Sequence, residues 1–275
     1  SIGMQTAKSA GVKSLRLALD TLEEIAAAED EIGISELAKR LGVAKGSLFR
    51  HLQTLVTRGY LQQNAQTARY RLGIKARLLG RLSADKGDLL SAAHDIQKEL
   101  SERIGQTVVV SVVAADSLTV LATHLAPSPV EIGVRPGSRL SLHASAQGKV
   151  ILAFSRQLSL LQLENRRLRR LTNHTLAKWK ALSEEIALVA RRGWATAPEE
   201  VYLGINGLAA PLFDASEDCI GAIALVGLIQ QIPREPHPNQ IQAVLDAARR
   251  LSSRLGYDKP LSPRQESAAK AKAAR

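Results

Sequence analysis

The sequence predicts an α+β protein in two parts: a short helical unit closed by a β-hairpin, then a larger unit with helices on an antiparallel sheet. Three observations carry this. Apolar residues recur at helical spacing over residues 13–58, with a break at Leu41-Gly42-Val43 ahead of the last of these helices. After Gly105 the texture turns β-rich, with TVVVSVVAAD, SLTVLATHL, GLAAPLFD and CIGAIALVGL interleaved with helical patterns. Between the two parts lies Asp85-Lys86-Gly87, a polar, glycine-containing junction flanked by helical patterns.

In chain order, KSLRLALDTLEEIAAA (13–28) places Leu15, Leu19, Leu22 and Ile25-Ala26 on one helical stripe. Ser35 reads as the N-cap of a short helix ending at Gly42, a residue able to take the left-handed backbone. A third helix runs over 45–58 with Leu48, Leu52, Leu55 and Val56 as its apolar stripe. Gly46, Ser47, Arg50, Gln53, Thr54 and Thr57 fall opposite. YLQQNAQTARYRLG alternates around a polar turn at 65–67 and reads as a hairpin. Helices follow over 74–84 and 89–104. After the two β-rich runs joined at Asp116-Ser117 comes a shorter run, Val130–Val134. Helices are expected over 145–154, 176–192 and 237–255, with strands 207–214 and 219–228 joined by the turn ASED. The expected organisation is 1–73, a winged helix-turn-helix; 74–87, a linker helix and hinge; 88–257, a second domain; and 258–275, a disordered basic tail.

Hydrophobic residues make up 45% of the 275 positions but aromatics only 3%, so the core must be aliphatic. A net charge of +11 points to a polyanionic partner, as an argument about association and not about fold. The lone cysteine, Cys219, permits neither an internal disulfide nor a cysteine-rich zinc site and fits a reducing cytoplasm. No apolar run reaches the roughly 18–20 residues of a membrane helix, and nothing resembles a secretory signal. Neither a metal nor a cofactor is expected.

The charge is concentrated. From Leu37 to Ala84 there is no Asp or Glu, while ten Lys or Arg residues fall there. Three helices with a tight turn before the third, and a hairpin after it, form a winged helix-turn-helix whose third helix is free to enter a major groove. Gly46 and Ser47 near its start permit close backbone approach. Arg50 is the candidate for bidentate contact with guanine. Lys45, Arg58 and Lys39 or Arg40 are phosphate candidates. Thr54 lies on the same face, and Arg69 and Arg71 would place charge on the wing. A helical domain with a merely solvated basic face is the plainer alternative, and the coincidence of charge, turn and hairpin favours double-stranded DNA.

At this point the residues resemble a family. KGSLFRHLQTLVTRGYL and RYRLG resemble the DNA-binding domain of IclR-type bacterial transcriptional regulators. SRLSLHASAQGKVILAF (138–154) and RRGWATAPEEVYLGINGLAAPLFD (191–214), followed by IGAIALVG, resemble that family's effector-domain segments. The resemblance covers about residues 13–256. It implies a linker helix, a C-terminal effector-binding domain of GAF-like topology, and a homodimer or homotetramer.

Read from the residues, Ser145 can cap a helix whose first N–H groups, on Ala146, Gln147 and Gly148, form an anion site. A small organic acid would suit it, with Arg139 or His143 adding charge or a donor. An ordinary cap is the alternative. Leu142, Asn206, Gly207, Ala209, Ala224 and Val226 are candidate pocket residues or plain core. The family often carries a polar residue at the position matching Ala197 and serines where Ala224 and Val226 stand. This chain is more apolar there, which favours an aromatic or longer-chain carboxylate over a very small keto acid. Glu199-Glu200 after Pro198 can be read as an acid–base pair, but fits the start of a helix better.

Two other functions fit the sequence less well. No nucleophile elbow, P-loop or dinucleotide fingerprint supports an enzyme with a DNA-binding appendage, and no catalytic residue is assigned. A purely architectural DNA-binding protein leaves the large second domain without a role.

Overall fold

The computed structural model describes residues 12–28, 30–83, 89–115, 117–128, 132–164 and 166–258, with the backbone alone over 81–83. The chain divides into two compact units, Ser1–Lys86 and Gly87–Arg275. The anticipated frayed start and basic tail lie outside the described residues, save Val12 and Asp258 at their edges.

The first unit holds α1 (Lys13–Ala27), α2 (Ile34–Leu41), α3 (Lys45–Thr57), the antiparallel strands β1 (Leu61–Gln63) and β2 (Tyr70–Leu72), and α4 (Ile74–Ser83). Its core gathers Ile25, Leu37, Leu48, Leu52, Leu55, Leu61 and Tyr70, one or more from each of α1, α2, α3 and both strands. Gly42 closes α2 at φ +65°, its N–H reaching the carbonyls of Ala38 and Lys39. That left-handed residue turns the chain within three positions, so α3 can cross α2.

Two details differ from the sequence reading. The α2 helix begins at Ile34 and has no side-chain cap; the Gly33 carbonyl accepts the Leu37 N–H instead, and Ser35 sits inside the first turn. The cause is Ile32, which is buried and bridged to Tyr70, so that the chain enters the helix immediately afterwards. On α1 the buried positions are Thr21 and Ile25, with Leu17 and Leu22 packed against the core, while Leu15 and Leu19 remain more than half exposed.

The second unit contains α5 (Leu89–Ile104), β3 (Thr107–Ala114), β4 (Ser117–His124), β5 (Arg139–Leu140), α6 (Ala146–Phe154), α7 (Trp179–Arg192), β6 (Ala195–Thr196), β7 (Ile205–Phe213), β8 (Cys219–Leu228) and α8 (Pro238–Arg254). The strands form one antiparallel sheet in the order β5-β4-β3-β8-β7-β6. Period-two alternation sorts the side chains. Leu208, Ala210, Leu212, Ile223 and Leu225 face α5 and α8. Ala209, Ala222 and Ala224 face α6 through its Ala146 and Val150. Helices thus pack on an antiparallel sheet, as the α+β reading anticipated, and they cover both of its faces.

Small residues on the second face let α6 lie close. A Cβ on Gly207 would sit 3.4 Å from the Ala146 Cβ, and one on Gly148 would meet the Ser141 and Leu142 carbonyl oxygens at 2.4 Å. The two-residue edge strands β5 and β6 were not anticipated, because two residues carry no alternation to read. Ile132, Gly133 and Val134 are outside any strand, and Val130 and Glu131 of the expected Val130–Val134 run lie outside the described residues.

Candidate nucleic-acid interface and effector site

On α3 the stripe Leu48, Leu52, Leu55 is buried, which turns Lys45, Gly46, Arg50, Gln53, Thr54, Thr57 and Arg58 outward; Ser47 is half-buried. Arg50, Gln53, Thr54, Thr57 and Arg58 line one shallow groove. The Thr54 hydroxyl donates back to the Arg50 carbonyl at 2.9 Å, and His51 Nδ1 lies 2.8 Å from the Ser47 carbonyl, so His51 is tied to its own helix. Phe49, which the sequence reading passed over, stands 44% exposed beside Arg50.

The seven basic residues among the ten predicted DNA contacts separate into two groups. The side chains of Lys39, Lys45, Arg50 and Arg58 make no ion pair among the described residues. Arg40 bonds Glu36 at 2.6 Å and approaches Glu24 at 3.9 Å. Arg69 donates to the Glu31 carbonyl at 2.6 Å and lies 3.7 Å from Glu36. Arg71 lies 3.8 Å from Glu31. The stretch is acid-free in sequence but not in space, because folding brings Glu24, Glu31 and Glu36 to its flank. Such exposed pairs contribute at most about 1 kcal/mol, so a phosphate can displace them.

In the second unit Ser145 caps α6, accepting the Gly148 N–H at 3.0 Å. The Lys149 N–H reaches the Ser145 carbonyl. The Ala146 and Gln147 N–H groups take no partner among the described residues. Gln147 is 4% exposed, and its Nε2 is buried without a hydrogen-bond partner. Ala197, Gly207 and Ala224 lie beneath or beside this turn; Ala197 and Ala224 belong with Ala146 to the apolar layer under α6.

Other predicted effector residues stand elsewhere or are already engaged. Val226 joins Val109 and Val120 in a separate cluster. Leu142 packs with the clusters around Leu118 and Leu182, and Arg139 sits exposed on edge strand β5. His143 has both ring nitrogens engaged, Nδ1 with the Ser141 hydroxyl and Nε2 with the Arg169 carbonyl. Asn206 is fully buried: its Oδ1 accepts the Ala197 N–H, and its Nδ2 donates to the Ile232 and Pro233 carbonyls. It fastens the 232–233 loop to the sheet.

Sequence reasoning missed the strongest electrostatic feature. Residues 198–200 form a turn and not a helix start; Glu199 takes φ +59° and Glu200 is buried. Lys149, 1% exposed, donates to the Glu200 carboxylate and, at 3.0 Å, to the Thr196 carbonyl. Leu176 N–H and the Thr175 hydroxyl hold the other side of Glu200. These bonds keep 175–176 out of α7, which starts at Trp179 instead of the expected Leu176. Burial pushes the Glu200 carboxyl upward, against the opposing pull of the Lys149 ammonium. The signal was present in AQGKVILAF: a lysine in an otherwise apolar helix must find a counter-charge.

Among the described residues no helix is long and apolar enough to cross a membrane, and no group of three or more His, Cys, Asp or Glu is placed to hold a metal ion.

Comparison with known proteins agrees with this architecture. The family model for the IclR helix-turn-helix domain matches residues 14–65, and that for the bacterial transcriptional regulator IclR C-terminal domain matches residues 82–253. The chain is 31% identical over 251 residues to the HTH-type transcriptional regulator BhcR of Paracoccus denitrificans, covering 91% of this chain and 90% of that one. In fold it is similar to an IclR transcriptional regulator from Alicyclobacillus acidocaldarius, with TM-score 0.78 at 23% identity, over 90% of this chain and 100% of that one. It is also similar to an IclR homologue from Microbacterium hydrocarbonoxydans complexed with 4-hydroxybenzoate, with TM-score 0.74 at 20% identity, over 88% and 99%. With an IclR helix-turn-helix domain over residues 14–65 and the IclR C-terminal domain over residues 82–253, the chain belongs to the IclR family of DNA-binding bacterial transcriptional regulators.

Proposed function

We propose that the protein is a cytoplasmic homo-oligomeric switch. The α3 helix enters the operator major groove, and an organic carboxylate bound at the first turn of α6 alters DNA affinity. The observation that carries the DNA half is the outward face of α3, where Lys45, Arg50 and Arg58 have no carboxylate partner among the described residues. Arg50 reads guanine and Phe49 reaches a thymine methyl. Lys39, Lys45 and Arg58 meet phosphates, and Arg40, Arg69 and Arg71 exchange their carboxylates for phosphate on docking. Self-association rests on Leu15 and Leu19 of α1 and Ile74, Leu78 and Leu79 of α4, all 46–62% exposed. An apolar set of this kind on two helices suits a second copy of the chain, and two copies present two α3 helices to successive half-sites.

The effector half rests on Gln147. A buried amide nitrogen without a partner costs free energy, and two further free N–H groups and the helix dipole lie at the same turn. A carboxylate there satisfies all three donors. The alanine-rich layer beneath suits an apolar or aromatic body, and the fold itself accommodates 4-hydroxybenzoate in a related protein. The ligand acts by binding the two arrangements of the DNA-binding units unequally.

A thermal-shift panel on the full chain tests this, with hydroxybenzoates, medium-chain acids and short keto acids. We expect stabilisation by an aromatic or longer acid, lost in Gln147→Leu. Stabilisation by keto acids alone, or a Gln147→Leu variant that responds like wild type, would overturn the assignment.

A further inference from the structure

We infer that a concavity in front of α7 is a second anion site, taking a small, multiply charged oxyanion such as a polyphosphate or polycarboxylate metabolite. It is independent of the carboxylate site read at α6. The concavity is open to solvent on one side and measures about 600 Å³, with Arg166, Arg167, Arg169, Arg170 and Trp179 among its lining residues. That volume is the size of a small-molecule site.

Charge is the first argument. None of the four guanidinium groups bonds a carboxylate among the described residues, whereas Arg192, Arg234, Arg249 and Arg250 in the same unit each do. Four cations within five positions, directed around one hollow, repel each other until an anion neutralises them. The helix behind them adds to this. The 14-residue α7 has no side-chain cap at Lys178 and no acid in its first turn, so its positive end opens beside Trp179 unopposed.

The backbone that carries the arginines is also held in place. Leu168, in the middle of RRLRR, packs against the cluster of Leu152, Leu182 and Ile186 and leaves the arginines on either side outside. The Arg169 carbonyl accepts from His143 Nε2 at 2.9 Å, and the Thr175 hydroxyl accepts the Leu171 and Thr172 N–H groups. The loop backbone is thus pinned while its side chains stay free. Guanidinium forks match phosphate and carboxylate oxygens two at a time, and the half-buried Trp179 ring offers a flat surface to an attached ring system. A concavity of this size admits a small molecule but not a DNA duplex.

The test titrates pyrophosphate, ATP and citrate into the full chain at low and at physiological salt, by calorimetry and tryptophan fluorescence. We expect saturable binding that weakens with salt, with a fluorescence change lost in Trp179→Phe, which retains Trp194. R166S/R170S should bind at least about tenfold more weakly with an unchanged melting temperature, and R166K/R170K should fall between because lysine lacks the fork. A response to pyrophosphate and ATP alone assigns phosphate; a response to citrate alone assigns carboxylate. No saturable binding of any probe at low salt, or equal affinity in R166S/R170S, overturns the site. So does loss of duplex DNA affinity in R166S/R170S with all three small probes inert. A failure of the Gln147→Leu experiment leaves this outcome untouched, and the reverse holds too.

Discussion

The exposed face of α3 and the buried first turns of α6 handle positive charge in opposite ways. Lys45, Arg50 and Arg58 stand in water with no carboxylate opposite them among the described residues, whereas Lys149 is removed from water and bonded on two sides. A cation left in solvent adds little to the fold and remains available to a partner. A cation taken inside must be neutralised inside, and the fold then depends on the pair. Position in the structure, more than residue type, therefore decides whether a basic residue here serves the partner or the protein.

The largest effect expected from that contrast is at Lys149. Lys149→Ala leaves the Glu200 carboxylate buried without its counter-charge, at a cost of about 3–5 kcal/mol. For a domain of this size the melting temperature should fall by on the order of 10 °C. Without the ammonium, the carboxyl, already raised by burial, moves further up. The folded form of the variant then holds its proton more tightly than the unfolded form does. Its stability should accordingly rise as pH is lowered from neutrality towards the ordinary carboxylate range, and fall as pH rises through the raised value. Thermal melts across that range measure both. A loss below about 1 kcal/mol would mean the pair is dispensable and the contrast with α3 is empty.

The next effect is in binding and not in folding. Arg50→Ala should lower operator affinity by about 1–3 kcal/mol, roughly 5- to 150-fold. Affinity for random DNA should change far less, and the melting temperature should stay put. Lys39→Ala should weaken operator and random duplex about equally and reduce the salt slope by about one. Gel-shift titrations at several salt concentrations separate the two. Equal losses on both duplexes for Arg50→Ala would reassign it to a phosphate.

Much of this was legible in the chain, for uneven reasons. The first unit followed from the 3.6-residue stripe of Leu48, Leu52 and Leu55, the break at Gly42 and the hairpin pattern, because local spacing alone fixes those elements. The Ser145 cap was readable from the residue type before an apolar run. What escaped were features set by distant partners. The acids that flank Arg40, Arg69 and Arg71 come from positions 24–36, outside the acid-free stretch. Glu200 looked like helix-start chemistry because its partner lies 51 positions away. Asn206 and His143 looked available until the carbonyls that occupy them, at 232–233 and 169, were in place.

On the hairpin the contrast predicts an intermediate outcome. Arg69 and Arg71 are paired to carboxylates but exposed, and the pairs contribute at most about 1 kcal/mol. Arg71→Ala should change stability by less than that. It should weaken DNA binding less than Arg50→Ala does, because the released Glu31 must be left behind when the wing meets a phosphate. A gel shift and a melt on the same variant check it. An effect as large as that of Arg50→Ala would place the wing, and not α3, at the centre of recognition.

The smallest effect concerns Cys219, which completes the contrast by being buried with no counter-charge among the described residues. It is 1% exposed, and its thiol donates to the Gly221 carbonyl at 3.4 Å. Burial pushes its pKa up to about 12, with Asp218 and Asp214 pushing the same way. A buried titratable group without an opposite charge stays neutral, and a neutral, shielded thiol neither attacks nor binds metal. Native protein at pH 8 should therefore leave a disulfide reagent such as DTNB unreacted, while protein in denaturant reacts with one equivalent. Labelling of native protein at the rate of a free thiol would show that the sheet opens at β8, and the layer of small residues beneath α6 would then be a mobile surface instead of a fixed floor for the effector.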